Sequence, residues 1–134
     1  TRNDNYASFL AVCRRYHDLH CRAKEGMSAF TLPFFFRERT KKEAFQRLMS
    51  THGIESRPLI SGNLLRQPFL KKYYHPTRFR NADFIHENAF YIGNNQFVTK
   101  ERLTFLESIM NSFFGAREVM GDVRIWTTSG QVNG

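Results

Sequence analysis

Apolar residues recur at helical spacing in three stretches of the chain. The first helix is predicted from Asp4, as its cap, to about His20. The second opens at the capping-box pattern Thr40–Glu43 and closes at Gly53. The third is predicted between a Thr99 cap and Gly115. Their inward positions are Tyr6, Phe9, Leu10, Cys13 and Tyr16 in the first, Ala44, Phe45, Leu48 and Met49 in the second, and Leu103, Leu106, Ile109, Met110 and Phe113 in the third.

Between these helices, three stretches favour extended structure. They are Ser28 to Phe36, Ile54 to Ile60 and Ala89 to Ile92. Pro33 and Pro58 place the first two at a sheet edge or at a strand end. A short helical turn, capped by Asn81, is predicted before the third. The order of elements predicts the fold class α/β, in the sense of α+β, with a small mostly antiparallel sheet covered by helices.

The chain is rich in phenylalanine, with 14 Phe among 134 residues. Phe34, Phe35 and Phe36 follow one another without alternation, which indicates burial on both sides. These residues, Phe113–Phe114 and the apolar stripe of the first helix exceed what one amphipathic face absorbs. We therefore expect some of them to cover a partner surface, such as a missing larger domain.

A polar loop follows the second extended stretch. Ser61, Gly62 and Asn63 have turn chemistry. Arg57 and Arg66 bracket the turn, so two guanidinium groups could converge on an anion such as a phosphate. The alternative is an exit from a strand with solvated arginines. A second turn carries Asn94, whose amide both donates and accepts hydrogen bonds; here the alternative is a plain strand-ending turn.

The same loop carries a family resemblance. The run G-I-E-S-R-P at Gly53–Pro58 resembles the small C-terminal domain of the DegT/DnrJ/StrS sugar aminotransferases, a family of fold-type-I enzymes that use pyridoxal phosphate. The run S-G-N-L-L-R-Q-P at Ser61–Pro68 resembles the branch of nucleotide-linked 4-keto-6-deoxy-sugar 3-dehydratases in lipopolysaccharide and O-antigen pathways. Ordinary aminotransferases of the family tend to carry a histidine after R-P, and this chain has none there. The resemblance extends more weakly from about Tyr6 to Phe114.

The resemblance implies a division of the chain into three parts. Residues 1–26 would form a linker helix from a missing large domain, 27–115 the small domain, and 116–134 a tail of unknown structure. The parent enzyme would use pyridoxal phosphate or pyridoxamine phosphate. The large domain supplies the cofactor site, including the lysine or histidine that separates aminotransferases from dehydratases. This chain alone is therefore expected to bind no cofactor and to hold no catalytic residue.

The resemblance also implies a substrate and partners. Arg57, Asn63, Arg66 and Asn94 are the expected contacts to a nucleotide sugar. A homodimer is expected in the parent. The near alternative is an aminotransferase of the same family. The alternatives of another class are a basic binding or interaction module without catalysis and a truncated, inactive remnant.

Charge and cysteine content restrict only slightly the kinds of partner and the location that the sequence allows. The net charge is +8, but the basic residues occur as dispersed doublets, so a nucleic-acid partner is not favoured. No apolar run approaches a membrane span. The two cysteines suggest no disulfide framework, and a cytoplasmic location is expected. Cys13, His17, His20 and Cys21 share a helical face, but eight residues of helix rise about 12 Å, too far for one metal ion.

Overall fold

The computed structural model describes residues 1–16, 19, 23–73 and 79–115. Within them lie helices α1 (Arg2–Cys13), α2 (Arg39–Thr51), α3 (Arg80–Asn88) and α4 (Lys100–Phe114), and strands β1 (Thr31–Phe35), β2 (Arg57–Pro58) and β3 (Ala89–Gly93). Three short 3₁₀ helices join β2 to the segment before α3: Leu59–Ser61, Leu64–Arg66 and Pro68–Tyr73. The strands form an antiparallel sheet in the order β1-β3-β2. The predicted fold class is confirmed.

The pairing of β1 with β3 shows how the edge strand tolerates a proline. Pro33 lies opposite Tyr91. The amide of Phe36 donates to the carbonyl of Asn88 (2.9 Å), and that of Asn94 donates to the carbonyl of Phe30 (2.9 Å). The backbone N–H and C=O groups of the even-numbered residues of β1 therefore point toward β3. Pro33, which has no N–H, points its nitrogen away from the sheet, as the prediction of an edge strand requires.

One face of the sheet forms the core with α1, α2 and α4. Burial alternates along β1, with Leu32 and Phe34 inaccessible and their neighbours only half-buried. Phe34 stacks on Phe90, with 4.9 Å between ring centroids, and lies 5.4 Å from Phe45. The expectation of burial on both sides of this segment is wrong, because alternating residues point to opposite faces of a strand.

The expectation that these residues cover a partner surface is wrong for most of them, because they are buried within the chain itself. Phe34 and Phe36 are 0% and 1% exposed within this chain. The α1 stripe is buried here too, at Tyr6, Phe9, Leu10 and Cys13. An aromatic cluster drawn from α1, the sheet, α2 and α4 buries these phenylalanines. Six other phenylalanines of the described residues are exposed.

Helix boundaries follow backbone geometry more than capping motifs. Helix α2 begins at Arg39 and its cap makes no side-chain hydrogen bond, so the predicted capping box is wrong. Its C-terminus agrees with the prediction: Gly53 has φ of 73°, its amide donates to the Ser50 carbonyl, and the Ile54 amide donates to the Met49 carbonyl. These two bonds make a Schellman motif.

Of four other predicted helix ends, two are confirmed and two are wrong. The predicted Thr99 cap of α4 is confirmed, since its side chain accepts from the Arg102 amide, and Gly115 ends the helix with φ of 69°. Asp4 lies inside the first turn of α1 rather than at its cap. Helix α3 is preceded by Phe79, so Asn81 is not its cap either.

Helix α1 ends at Cys13, so the predicted extension of the first helix to about His20 is wrong. The helix packs on α4, and so do the residues that follow it. The Tyr16 ring stacks on Phe114 at 4.6 Å, its hydroxyl donates to Asn111, and Arg15 pairs with Glu107. Whether residues 1–26 also link to a larger domain stays a prediction. His17, His20, Cys21 and the tail 116–134 lie outside the described residues.

The described residues bear on two kinds of partner, a membrane and a metal ion. No helix there has the length and apolar content needed to cross a membrane. No group of three or more histidine, cysteine, aspartate or glutamate side chains within those same residues is arranged to hold a metal ion.

Candidate functional site

Asn63 anchors the polar loop to α3. Its side chain is 7% exposed. The amide Nδ2 donates to Asp83 Oδ1 at 2.8 Å, and Oδ1 accepts from the Leu65 amide at 3.0 Å. The Asn63 backbone amide donates to Nδ1 of His86 at 3.1 Å. Three hydrogen bonds therefore fix this residue, and its side-chain amide supports the loop from inside.

Arg66 lies beside it and bridges two carboxylates of the same helix. Its guanidinium contacts Asp83 Oδ1 and Glu87 Oε1, both at 2.8 Å. The hydrogen bond to Glu87, aided by the charge of Asp83, raises the pKa of Arg66 above its ordinary value. Its positive charge is thus compensated in this structure. An incoming phosphate would have to compete with two carboxylates already in place.

The turn between these residues and β2 is sterically constrained. Gly62 has φ of 64°, and a Cβ there would overlap Nδ1 of His86. Ile60 has φ of 40° and ψ of 60°, the left-handed region that a β-branched residue rarely adopts. Its side chain is 62% exposed. The backbone at this tip is therefore held in an unfavourable conformation by its surroundings.

Arg57 lies on β2, away from α3. Its guanidinium pairs with Glu55 at 2.7 Å, and both side chains are exposed. It lines a groove of about 720 Å³ between β2, β3, α4 and the end of α2. Tyr91 and Arg102 also line this groove. Of the four predicted contacts, Arg57 has the most accessible charge.

Asn94 is the most deeply buried of the four, at 1% exposure. Its Nδ2 donates to the carbonyls of Arg2 and Ala29, both at 2.8 Å, and its Oδ1 accepts from Asn5 Nδ2 at 3.2 Å. These bonds join the turn after β3 to α1 and to the segment before β1. The amide is fully occupied within the chain.

The structure thus brings together Asn63 and Arg66, and gives Arg57 and Asn94 separate surroundings. The substrate-binding role of all four stays a prediction, as does the convergence of Arg57 and Arg66 on one anion. Sequence reasoning missed the partners on α3: Asp83, His86 and Glu87. Their i, i+3 and i+4 spacing places them on one helical face, and that spacing was the available signal.

The comparisons with known proteins identify a relative. No protein-family model matches the chain. GDP-4-keto-6-deoxy-D-mannose 3-dehydratase from Escherichia coli O55:H7 (strain CB9615 / EPEC) is 26% identical over 116 residues, which cover 81% of this chain. The chain is similar to part of a nucleotide-sugar 3-dehydratase. It spans only 30% of that enzyme, in its small C-terminal portion.

Solved structures of the dehydratase share the fold. The E. coli enzyme with bound hydrated pyridoxal phosphate superposes with a TM-score of 0.68, at 23% identity, covering 81% of this chain and 29% of that one. A variant of the enzyme named ColD, with bound GDP-perosamine, gives 0.67 at 24% identity, covering 81% and 30%. The resemblance to the 3-dehydratase branch is confirmed, and the predicted fold with it.

Two cavities of the described residues do not fit the cofactor that the dehydratase binds. Pyridoxal phosphate needs an anion cradle and a group that holds its ring. The groove at Arg57 has no lysine or aspartate in its lining. A smaller cavity of about 220 Å³, between α1 and α4, is lined by Lys100, Glu107, two hydroxyl side chains and apolar side chains. Neither offers the needed set, so no chemical step is assigned to these residues.

Proposed function

We propose that this chain is the small C-terminal domain of a larger enzyme that acts on a nucleotide-linked 4-keto-6-deoxy sugar and removes its 3-hydroxyl group. The observation that carries the proposal is the 116-residue match to GDP-4-keto-6-deoxy-D-mannose 3-dehydratase. The shared fold over the same share of the chain supports it. The parent would use pyridoxal phosphate or pyridoxamine phosphate bound by its other domain, and would act as a cytoplasmic homodimer.

Within that function, the chain's own contribution is to bind and orient the sugar nucleotide. Arg57 is the first candidate, because its guanidinium lines an open groove and its ion-pair partner Glu55 is at least as exposed as Arg57 itself. An exposed ion pair of this kind contributes little to stability, so Glu55 can release the arginine to a phosphate. Arg66 and Asn63 would act by holding the loop in shape.

The decisive experiment is to express the full-length protein and supply a nucleotide-linked 4-keto-6-deoxy sugar. Mass spectrometry of the product separates the two reactions of the family. Loss of the 3-hydroxyl oxygen supports the dehydratase. A product with an added amino group would instead establish the aminotransferase.

The arginines are tested in the same full-length enzyme. Arg57→Ala is expected to lower kcat/KM by about 10- to 150-fold, since a hydrogen bond between charged groups contributes about 1.5–3 kcal/mol. Arg57→Lys should restore part of the loss, because a point charge replaces a planar fork. Arg39→Ala is the matched control: Arg39 pairs with Glu43 at 2.7 Å and is also 65% exposed, but lies on α2. Equal kcat/KM for the Arg57 and Arg39 variants would remove Arg57 from the site.

The competing proposal, a basic binding module, is tested by the salt dependence of nucleic-acid binding. Nucleic-acid binding through dispersed cations falls steeply with added salt. If the isolated chain binds nucleic acid with such a salt dependence and the longer protein converts no sugar nucleotide, that module is the better description.

A further inference from the structure

One imidazole holds the polar loop against α3. The backbone amide of Asn63 donates to Nδ1 of His86 at 3.1 Å. Gly62 lies so close to the same nitrogen that a Cβ built on this glycine would be only 2.2 Å from it. A histidine accepts a hydrogen bond only at a ring nitrogen that carries no proton. The observed contact therefore requires that Nδ1 of His86 be unprotonated.

Protonation of His86 would remove this hydrogen bond. Both ring nitrogens of an imidazolium carry hydrogens, so Nδ1 would turn an N–H toward the N–H of Asn63. The bond would be lost, and two donors would face one another. Because the held loop binds one proton fewer than the released loop, acid favours release. Histidine is the side chain whose charge ordinarily changes between about pH 5 and 8, so the transition would fall in a physiological range.

The backbone of Ile60 favours release of the same turn. Its φ of 40° and ψ of 60° lie in the left-handed region, which a β-branched residue rarely adopts. The 3₁₀ helix Leu59–Ser61 that contains it contacts α3. The free-energy cost of such strain is similar in size to that of leaving one buried donor without an acceptor. Loss of a single hydrogen bond can therefore shift the turn from a held to a released state.

The charged groups near His86 come from α3, the loop and α2. They are the carboxylates of Asp83 and Glu87 on α3, the guanidinium of Arg66 in the loop, which pairs with both carboxylates, and on α2 Lys42 and the ion pair of Arg39 with Glu43. The 3₁₀ helix Leu59–Ser61 carries no ionisable side chain, and β3 carries only Tyr91, which lines the groove at Arg57. An imidazolium at His86 would have to compete with Arg66 for the two carboxylates.

We infer that His86 is a pH-sensitive latch, whose neutral imidazole holds the turn Ile60–Asn63 on α3 and whose protonation releases it. The ion pairs of Arg66 with Asp83 and Glu87 do not involve the imidazole, so the change stays local to the turn. The inference goes beyond the proposed function, because it concerns the fold of this chain and holds whatever reaction a longer parent catalyses.

The test is nuclear magnetic resonance of the isotope-labelled chain as a function of pH. Two groups are followed, the backbone amide of Asn63 and the ring nitrogens of His86. Exchange of the Asn63 amide with water, relative to its rate in an unstructured peptide, should be at least about tenfold faster at about pH 5.5 than at about pH 7.5. The midpoint of this change should coincide with the protonation of His86. Carboxyl groups ordinarily titrate below this range.

Two variants of His86 separate the effect of the proton from that of the ring. His86→Asn places an amide oxygen, which accepts at any pH, at about the position of Nδ1, so the Asn63 amide should stay protected at both pH values. His86→Ala offers no acceptor, and its Asn63 amide should exchange at the faster rate at both.

His52→Asn is the matched control. His52 is exposed at the end of α2, with its ring centre 5.7 Å from that of Phe105. This variant should keep the wild-type response of Asn63 to pH. Circular dichroism checks that every variant is folded.

Several results would overturn the latch. They are equal protection of the Asn63 amide at both pH values in the wild type, a pH response that survives in His86→Asn, slow exchange in His86→Ala at the higher pH, and loss of the response in His52→Asn. The wild-type titration needs no substitution, so it decides the question even if His86→Ala does not fold. Conversion of a sugar nucleotide by the full-length protein has no bearing on these outcomes.

Discussion

Replacing Asn94 with alanine decides whether this buried amide is structural. The variant loses two hydrogen bonds to the carbonyls of Arg2 and Ala29 and one from Asn5. The bond from its own backbone amide to Phe30 is kept. At about 1 kcal/mol for each lost bond, with a further penalty for the buried Ala29 carbonyl left without a donor, we expect the free energy of unfolding to fall by about 2–4 kcal/mol.

The assay is urea unfolding of the chain followed by far-ultraviolet circular dichroism. Thermal melting should show a corresponding drop of roughly 10 °C for a domain of this size. Asn95→Ala is the matched control: its side chain accepts one exposed hydrogen bond, from the Phe97 amide at 2.9 Å. That variant should lose no more than about 1 kcal/mol.

A further variant sharpens the result. Asn94→Asp keeps an acceptor for Asn5 but places a carboxylate oxygen against the carbonyls of Arg2 and Ala29, so it should be at least as destabilised as the alanine variant. If Asn94→Ala unfolds within about 1 kcal/mol of the wild type, the hydrogen-bond reasoning is refuted. A normal stability together with a large loss of kcat/KM in the full-length enzyme would place Asn94 at the substrate.

Two further predictions concern the glycines and the carboxylates. Gly53→Ala should lower the free energy of unfolding by about 1–2 kcal/mol, because an alanine is strained at its positive φ. Gly62→Ala should lower it by about 1–3 kcal/mol more, because the added Cβ would also overlap His86. Equal urea midpoints for the two variants would contradict this. A hydrogen bond from Arg39 lowers the pKa of Glu43. A hydrogen bond from Thr99, the cap of α4, lowers the pKa of Glu101. Their contribution to stability is therefore present above the unfolded value of 4.5 and lost as the pH falls below it. The double variant to glutamine should be less stable than the wild type at neutral pH and equal to it in acid, as urea midpoints would show.

The sequence predicted the elements of this fold because its periodic signals were long. The stripe of α4 repeats over several turns, and Gly53 and Gly115 end α2 and α4 by a local backbone requirement. The stripe of the first helix was read too far, since α1 ends at Cys13 although Tyr16 is buried like the residues before it. Capping was predicted less well. A cap depends on the geometry of one residue, and the pattern at Thr40 did not reveal that the cap of α2 would be Glu38, two residues earlier.

The candidate site was predictable only in part, for a related reason. The loop itself was found from Gly62 and Asn63, whose turn chemistry is local. Its support comes from α3, more than fifteen residues away in sequence, and only the folded chain brings His86 to the loop. Likewise, nothing local distinguishes the buried amide of Asn94 from an exposed one.

The nitrogen of Pro33 has a consequence for the behaviour of the molecule at high concentration. An unprotected edge strand offers a row of donors and acceptors on which another chain can build, and fibres grow in this way. On β1 that row is interrupted at its centre, because Pro33 has no N–H to donate on the outer side. The opposite edge, β2, is only two residues long and also contains a proline. Neither edge can template an added strand along its full length. The three-stranded sheet therefore offers no complete edge for the addition of further strands at either end.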